Sequence, residues 1–323
     1  MLKNMLAISM AITISFFSSA PWAETEISMP KLIRIVVPFG AGASTDIIAR
    51  TTASQLSDHL KINVIVENKP GASSMIGADA VARAPKDGST LLLTTPSTVA
   101  AAATMQNNTL DFEEDLMPIA NLGEGPMVIV ASINSGIKTP EDLVAKAKGK
   151  PGDISYGTSG IGTLAHMTFE LISQDAKIQM MHVPYKGSAY SALDLSSGLI
   201  DLSAGIKSSF AAQIKSGKMR AIAVTSLTPN TAYPGIPTMA SVIPGFSADT
   251  WAMVFAPAGT DPKVATELNR VLNEISGSSE LRKLMQEDGA TPKPLTLDVL
   301  QKNVRSSYEQ WKKLAVDKKI IIK

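Results

Sequence analysis

The sequence predicts an α/β protein of two lobes, each a mainly parallel sheet flanked by helices, with a ligand cleft between them. Three observations carry this reading. Short continuous apolar runs alternate with helical patterns, as they do where parallel strands are covered on both faces. The alternation runs through two successive series. At 323 residues, the chain is long enough for two domains of ordinary size.

The first series comprises "IRIVVPF" (33–39), a helix over 45–60, "INVIVEN" (62–68), a helix near 74–84 and "STLLLTT" (89–95). In the helix over 45–60, Ile48, Leu56 and Leu60 recur at multiples of four with Ile47 beside them, an apolar stripe expected to face a sheet. The second series begins with "PMVIVAS" (126–132), followed by a helix after Thr139, "ISYGTSG" (154–160) and a helix from Thr163. It continues with "IQMMHVPY" (178–185), a helix near 188–197, "LIDLSAGI" (199–206) and "RAIAVTS" (220–226). The Pro- and Gly-bearing stretch 228–245 reads as irregular chain.

"TWAMVFAPAG" (250–259) is one more strand, and Pro262 opens a helix whose apolar face is Val264, Leu268, Val271, Leu272 and Ile275. A final helix carries Val304, Tyr308, Trp311 and Leu314. With "PMVIVAS" and "TWAMVFAPAG" as the two crossings, residues 24–125 and 247–323 form lobe 1 and residues 126–246 form lobe 2.

Lys3, the apolar run 5–17 and Ala23 before Glu24 read as a secretory signal peptide over 1–23, although Pro21 stands where a small residue is usual. The run is shorter than the roughly 20 residues of a membrane-spanning helix. Export into a bacterial periplasm is the expectation. The chain has no cysteine, so the exported fold stands without disulfides, and no thiol serves as nucleophile, lipid anchor or zinc ligand. Thirty basic against 29 acidic residues, with no long block of either sign, argues against a nucleic-acid partner.

The loop in "VPFGAGASTDIIAR" (37–50) mimics a dinucleotide fingerprint, with Gly40, Gly42 and an acidic Glu67 closing the second strand. The third glycine is replaced by Thr45, Asp46 would sit beside the incoming pyrophosphate, and no lysine follows the glycines as an ATPase loop requires. Two readings remain for this loop. It is an ordinary turn capped by Thr45 and Asp46, or it offers first-turn N–H groups to a smaller anion.

Four further loops, "NKPGASSMIGA", "TTPSTVA", "YGTSGIGTLAH" and "VPYKGSA", also join strand ends to helix starts and are rich in Gly, Ser and Thr. Such loops gather at the carboxyl ends of strands, where ligands bind, and they suit an anion held by N–H and hydroxyl donors. His166 and Lys186 are the basic side chains of the second-lobe loops; each either pairs with a carboxylate or serves its own lobe, as a packed histidine and a surface lysine. His59 and His182 read as structural. There is no G-x-S-x-G elbow and no spacing of His or carboxylates for a metal, so neither catalysis nor a cofactor is expected.

Taken together and in order, "IRIVVPFGAGASTDIIAR", "VIVENKPGASSMIGADAVARAPKDGSTLLL", "SYGTSGIGTLAHMTFEL", "VPYKGSAYSALDLSSGLIDL", "IKSGKMRAIAVTS" and "WAMVFAPAGT" closely resemble the substrate-binding receptors of tripartite tricarboxylate transporters, the Bug family. The resemblance implies a monomeric, two-lobed periplasmic binding protein of type II that closes on a small di-, tri- or aromatic carboxylate and hands it to a permease of one large and one small membrane subunit. A ligand-sensing subunit that presents its closed form to a membrane sensor kinase is the alternative.

The resemblance further implies that Phe39, Gly42, Ala43, Ser44, Thr45 and Asp46 in the first loop, and Ser159, Gly160, Thr163 and His166 in the second lobe, embrace the carboxylate, partly through ordered waters. Tyr185 and Lys186 border the same cleft, and Ser97 is a further candidate. Relatives commonly carry an acidic residue where this chain has Gly205, and glycines where it has Ala43 and Ser44. The exchange at Gly205 implies a less negative, roomier pocket, unsuited to an amino group.

Overall fold

The computed structural model describes residues 29–105 and 110–320; the signal peptide expected over 1–23 lies outside the described residues. In the first half the elements are β1 (Leu32–Val37), α1 (Ser44–Leu60), β2 (Asn63–Asn68), α2 (Met75–Ala82), β3 (Thr90–Thr94), α3 (Pro96–Thr104) and β4 (Leu116–Gly125). The chain then crosses to β5 (Val128–Ser132), α4 (Pro140–Gly149), β6 (Ser155–Thr158), α5 (Leu164–Asp175), β7 (Met181–Pro184), α6 (Ser188–Ser197), β8 (Leu202–Gly205), α7 (Ala211–Lys215) and β9 (Met219–Val224). It returns through β10 (Thr250–Pro257) to α8 (Pro262–Ser276), α9 (Ser279–Gln286) and α10 (Leu297–Asp317).

The strands form two five-stranded sheets, ordered β2-β1-β3-β10-β4 and β7-β6-β8-β5-β9. The two orders are equivalent, which is the structural form of the repeated alternation in the sequence. In each sheet one strand runs against its neighbours: β10 is antiparallel to β3 and β4, and β5 to β8 and β9. Both are the strands that have just arrived from the other lobe. The remaining direct pairings, β1 with β2 and β3 and β6 with β7 and β8, are parallel.

Periodicity placed the terminal helices well. Val264, Leu268, Val271, Leu272 and Ile275 of α8 are all buried, and Asp261 caps that helix by accepting from the N–H groups of Lys263 and Val264. In α10 the buried face includes Val304, Tyr308, Trp311 and Leu314. The stripe on α1 needs correcting: Ala49, Thr52, Ala53 and Leu56 form its buried face, whereas Ile47 is 44% exposed. An apolar cluster also spans the lobes, joining α3 and α10 of the first to α5 of the second.

Besides the five-residue α7, two elements are absent from the sequence reading. Strand β4 contains Pro118, Gly123 and Gly125, which interrupt any apolar run; it is an edge strand, where the missing N–H of Pro118 is tolerated. Helix α9 is only 8 residues long and largely charged, and it docks through Leu281 and Met285. Both elements help to wall the cleft.

Candidate functional site

The first loop is held from below by one carboxylate. Asp46, third residue of α1, accepts from the N–H of Gly42 at 2.9 Å, from Arg50 Nε at 3.0 Å and from Asn68 Nδ2 at 2.9 Å. Asn68 also donates to the carbonyl of Phe39 at 3.2 Å. This is the reaching-back half of a capping box, shifted by one residue. Burial alone would raise the pKa of Asp46, but the hydrogen bonds from Arg50, Gly42 and Asn68 outweigh it and bring the value down to about 2.

Gly42 adopts φ +82°, the left-handed turn that lets the chain enter the helix. Ala43 is the N-cap and has no side-chain cap bond. Among the described residues no protein acceptor takes the N–H of Ser44 or Thr45. These two donors, at the positive end of a 17-residue helix, are available to an anion.

The second loop, between β6 and α5, is also self-organised. Thr158 Oγ1 and Thr163 Oγ1 both donate to the carbonyl of Gly160, at 3.0 and 2.8 Å. The N–H of Gly162 donates to His166 Nδ1 at 3.0 Å, which leaves the ring proton on Nε2. His166 is 5% exposed and stacks on His182 with ring centroids 3.8 Å apart. Burial lowers the pKa of both histidines to about 4, so each ring is neutral at pH 7 and brings no positive charge to an anion.

Two contacts tie this loop to its surroundings. The N–H of Leu164 donates across the lobes to Ser97 Oγ at 3.4 Å, so that the N-termini of α3 and α5 meet. Tyr185 OH donates to Asp194 Oδ2 at 2.7 Å, which bends the loop after β7 toward α6. Lys186 in that loop is exposed, as is Ser159.

Between the lobes lies a cavity of about 230 Å³. From α1 it is lined by Ser44, Thr45, Ile47 and Ile48, from β10 by Thr250, Trp251 and Ala252, and from α9 and the turn after it by Leu284, Met285, Glu287 and Asp288. Lobe 2 contributes Ile206 and Ser208. One side is closed by Asp288, which accepts from the N–H of Ser208 at 2.7 Å and from its Oγ at 3.1 Å.

Of the residues expected from the sequence, Ser44 and Thr45 line this cavity; Phe39, Gly42, Ala43 and Asp46 shape the loop that presents them. Ser97, Ser159, Gly160, Thr163 and His166 lie along the seam between α3 and α5, and Tyr185 and Lys186 lie beyond it. Thr95, the N-cap of α3 and two residues before Ser97, also lines the cavity, so cavity and seam share one helix terminus. Gly205 immediately precedes Ile206. A Cβ at position 205 would stand 3.2 Å from Phe210 Cε2, so the space left by the missing side chain is partly filled by that ring, contrary to the roomier pocket expected.

The sequence reading missed Trp251, Leu284, Met285, Glu287 and Asp288. The first lay within an anticipated strand, and the others fall on or just after the helix that was not anticipated.

Two α/β lobes joined by two crossings, with helix N-termini facing a cleft, define a solute-binding protein. Residues 48–320 match the Tripartite tricarboxylate transporter family receptor, and the chain belongs to that family. It is 32% identical over 314 residues to Protein BugT of Bordetella pertussis, covering 96% of each chain. Among solved structures it is similar to R. palustris Rpa4515 with adipate, at 29% identity and TM-score 0.78 over 88% of this chain and 96% of that one. It is likewise similar to the periplasmic binding protein BugD, at 30% identity and TM-score 0.76 over 90% and 98%. The family consists of solute-binding receptors, not enzymes.

Proposed function

We propose that this chain is a periplasmic receptor that captures a small carboxylate between its lobes and delivers it to the two-subunit permease of a tripartite transporter. The observation that carries the reading is the pair of N–H groups of Ser44 and Thr45, without protein acceptors among the described residues, on the cavity wall at the start of α1. A carboxylate there would meet two backbone donors, two hydroxyls and the helix dipole. Adipate in the similar R. palustris protein supports the same ligand chemistry.

In this reading lobe 1 is residues 24–125 with 247–323 and lobe 2 is 126–246, and the receptor works as a monomer. The seam residues Ser159, Gly160, Thr163 and His166 complete the site when the lobes close, with His166 acting through the loop it holds and not as a cation. Tyr185, Lys186 and Gly205 border it.

A thermal-shift screen of the exported chain against mono-, di- and tricarboxylates tests the reading. A ligand at one hundred times its Kd adds about 2.7 kcal/mol, which raises the Tm by roughly 2–4 °C per kcal/mol for a protein of this size. A flat response across the panel refutes carboxylate capture. Intact mass of the periplasmic form is expected to show a chain starting at Glu24, and deletion of a neighbouring permease is expected to abolish uptake of the same acid.

A further inference from the structure

We infer that the ligand carries one carboxylate on an apolar body about the size of a single aromatic ring, and that the cavity selects against a second carboxylate. This rests on the carboxylate reading above and refines it. The N-terminus of α1 provides the pair of free backbone N–H donors at one wall. Away from Ser44 and Thr45 the large side chains of the lining are Ile47, Ile48, Ile206, Trp251, Leu284 and Met285; the hydroxyls of Thr95, Ser208 and Thr250 are its neutral polar groups, and neither lysine nor arginine is among the lining residues.

The charged groups that do reach the cavity are Glu287 and Asp288, both acidic. Asp288 is held in place at the lobe interface by the N–H and hydroxyl of Ser208. A second ligand carboxylate would therefore leave water for an apolar wall, without a cation and near like charge. Lys207, next to Ile206 in the chain, does not relieve this: its Nζ donates to the carbonyl of Ala232 at 2.8 Å and lies 5.4 Å from the centre of the Tyr233 ring, along a separate groove.

Size points the same way. An apolar cavity of about 150 Å³ holds benzene, so the 230 Å³ here accommodates a ring with a short acid arm.

Calorimetry of the mature wild-type chain with benzoate, phenylacetate, 3-phenylpropanoate, their amides, adipate and malate tests the inference. At least one aryl monocarboxylate is expected to bind tenfold or more tightly than either dicarboxylate, and more tightly than its own amide. Ile206→Lys, and independently Leu284→Lys at a site that is 39% exposed and tolerant of a charge, are expected to strengthen adipate binding and weaken the aryl acid. Adipate or malate binding as tightly as the aryl acids would overturn the inference while leaving a carboxylate receptor intact. Amides that bind as well as acids, or no binding by any acid, would overturn both.

Discussion

The carboxylate of Asp46 accepts the N–H of Gly42 at 2.9 Å, and through this bond the third residue of α1 fixes the turn that precedes the helix. In the proposed reading, Asp46 is expected to act on a ligand through the loop and not by touching it. Asp46→Asn keeps the shape but removes the charge shared by Gly42, Arg50 and Asn68. It is expected to lower stability by about 1.5–3 kcal/mol, the range for hydrogen bonds to a charged group, and to weaken ligand binding as the loop relaxes. The folded-state pKa of about 2 lies below the ordinary 3.8, so this stabilisation is present above about pH 4 and is lost as pH falls toward 2. Urea titrations of both proteins at pH 7 and pH 2.5 check this, with the difference shrinking at the lower pH.

The stacked pair His166 and His182 gives a second prediction. Both rings are held neutral by burial, with pKa near 4 against an ordinary 6.5. A depressed folded-state pKa contributes stability above pH 6.5 that is lost as pH falls toward 4. Replacing both residues by glutamine should flatten the fall in Tm between these limits. An unchanged slope would mean that protonation there is already tolerated in the folded state.

The fold was legible in the sequence wherever apolar periodicity ran unbroken, as in β1, α8 and α10, and illegible where it did not. Strand β4 is stabilised by pairing along β10, a tertiary effect that overrides the Pro and Gly residues within it. The loops of the site could be read because strand-to-helix turns leave a local signature of Gly, Ser and Thr. The apolar wall could not: Trp251 and Met285 are 34 residues apart and meet only because α9 packs back beside the sheet that contains β10. The position of His166 was also hidden, since its stacking on His182 depends on the register of β7 beside β6.

Gly205 offers a third test. A side chain there must displace the edge of the Phe210 ring by a few tenths of an ångström, and Phe210 is 1% exposed. Gly205→Asp is expected to destabilise lobe 2 by about 1–3 kcal/mol, as overpacking does, and to reduce carboxylate affinity by adding negative charge beside the cavity. Gly205→Asp with Phe210→Leu should recover much of the stability but not the affinity. Full recovery of both would show that charge at position 205 does not reach the ligand.

The two crossings between the lobes meet at a titratable group. Asp249 lies just before β10, Thr225 Oγ1 donates to it at 3.4 Å, and the same Thr225 hydroxyl accepts from the N–H of Met127 at 2.8 Å in the other crossing. Burial, and then the charge of Glu124, push the pKa of Asp249 up to about 6; Thr225 and Lys293 oppose the shift without cancelling it. Glu124 is itself partly neutralised by Lys293, 3.6 Å away. Because the folded-state value lies above the ordinary 3.8, the folded protein holds this proton more tightly than the unfolded chain. The associated stability is complete below about pH 4 and is lost as pH rises through 6, opposite in sign to the histidine pair. Asp249→Asn keeps an acceptor for Thr225 and removes the ionisation, so it is expected to be more stable than wild type at pH 7.5 by about 1–3 kcal/mol, from 1.36 kcal/mol per pKa unit. At pH 4 the two proteins should unfold at the same urea concentration; a constant difference at both pH values would place the titration elsewhere.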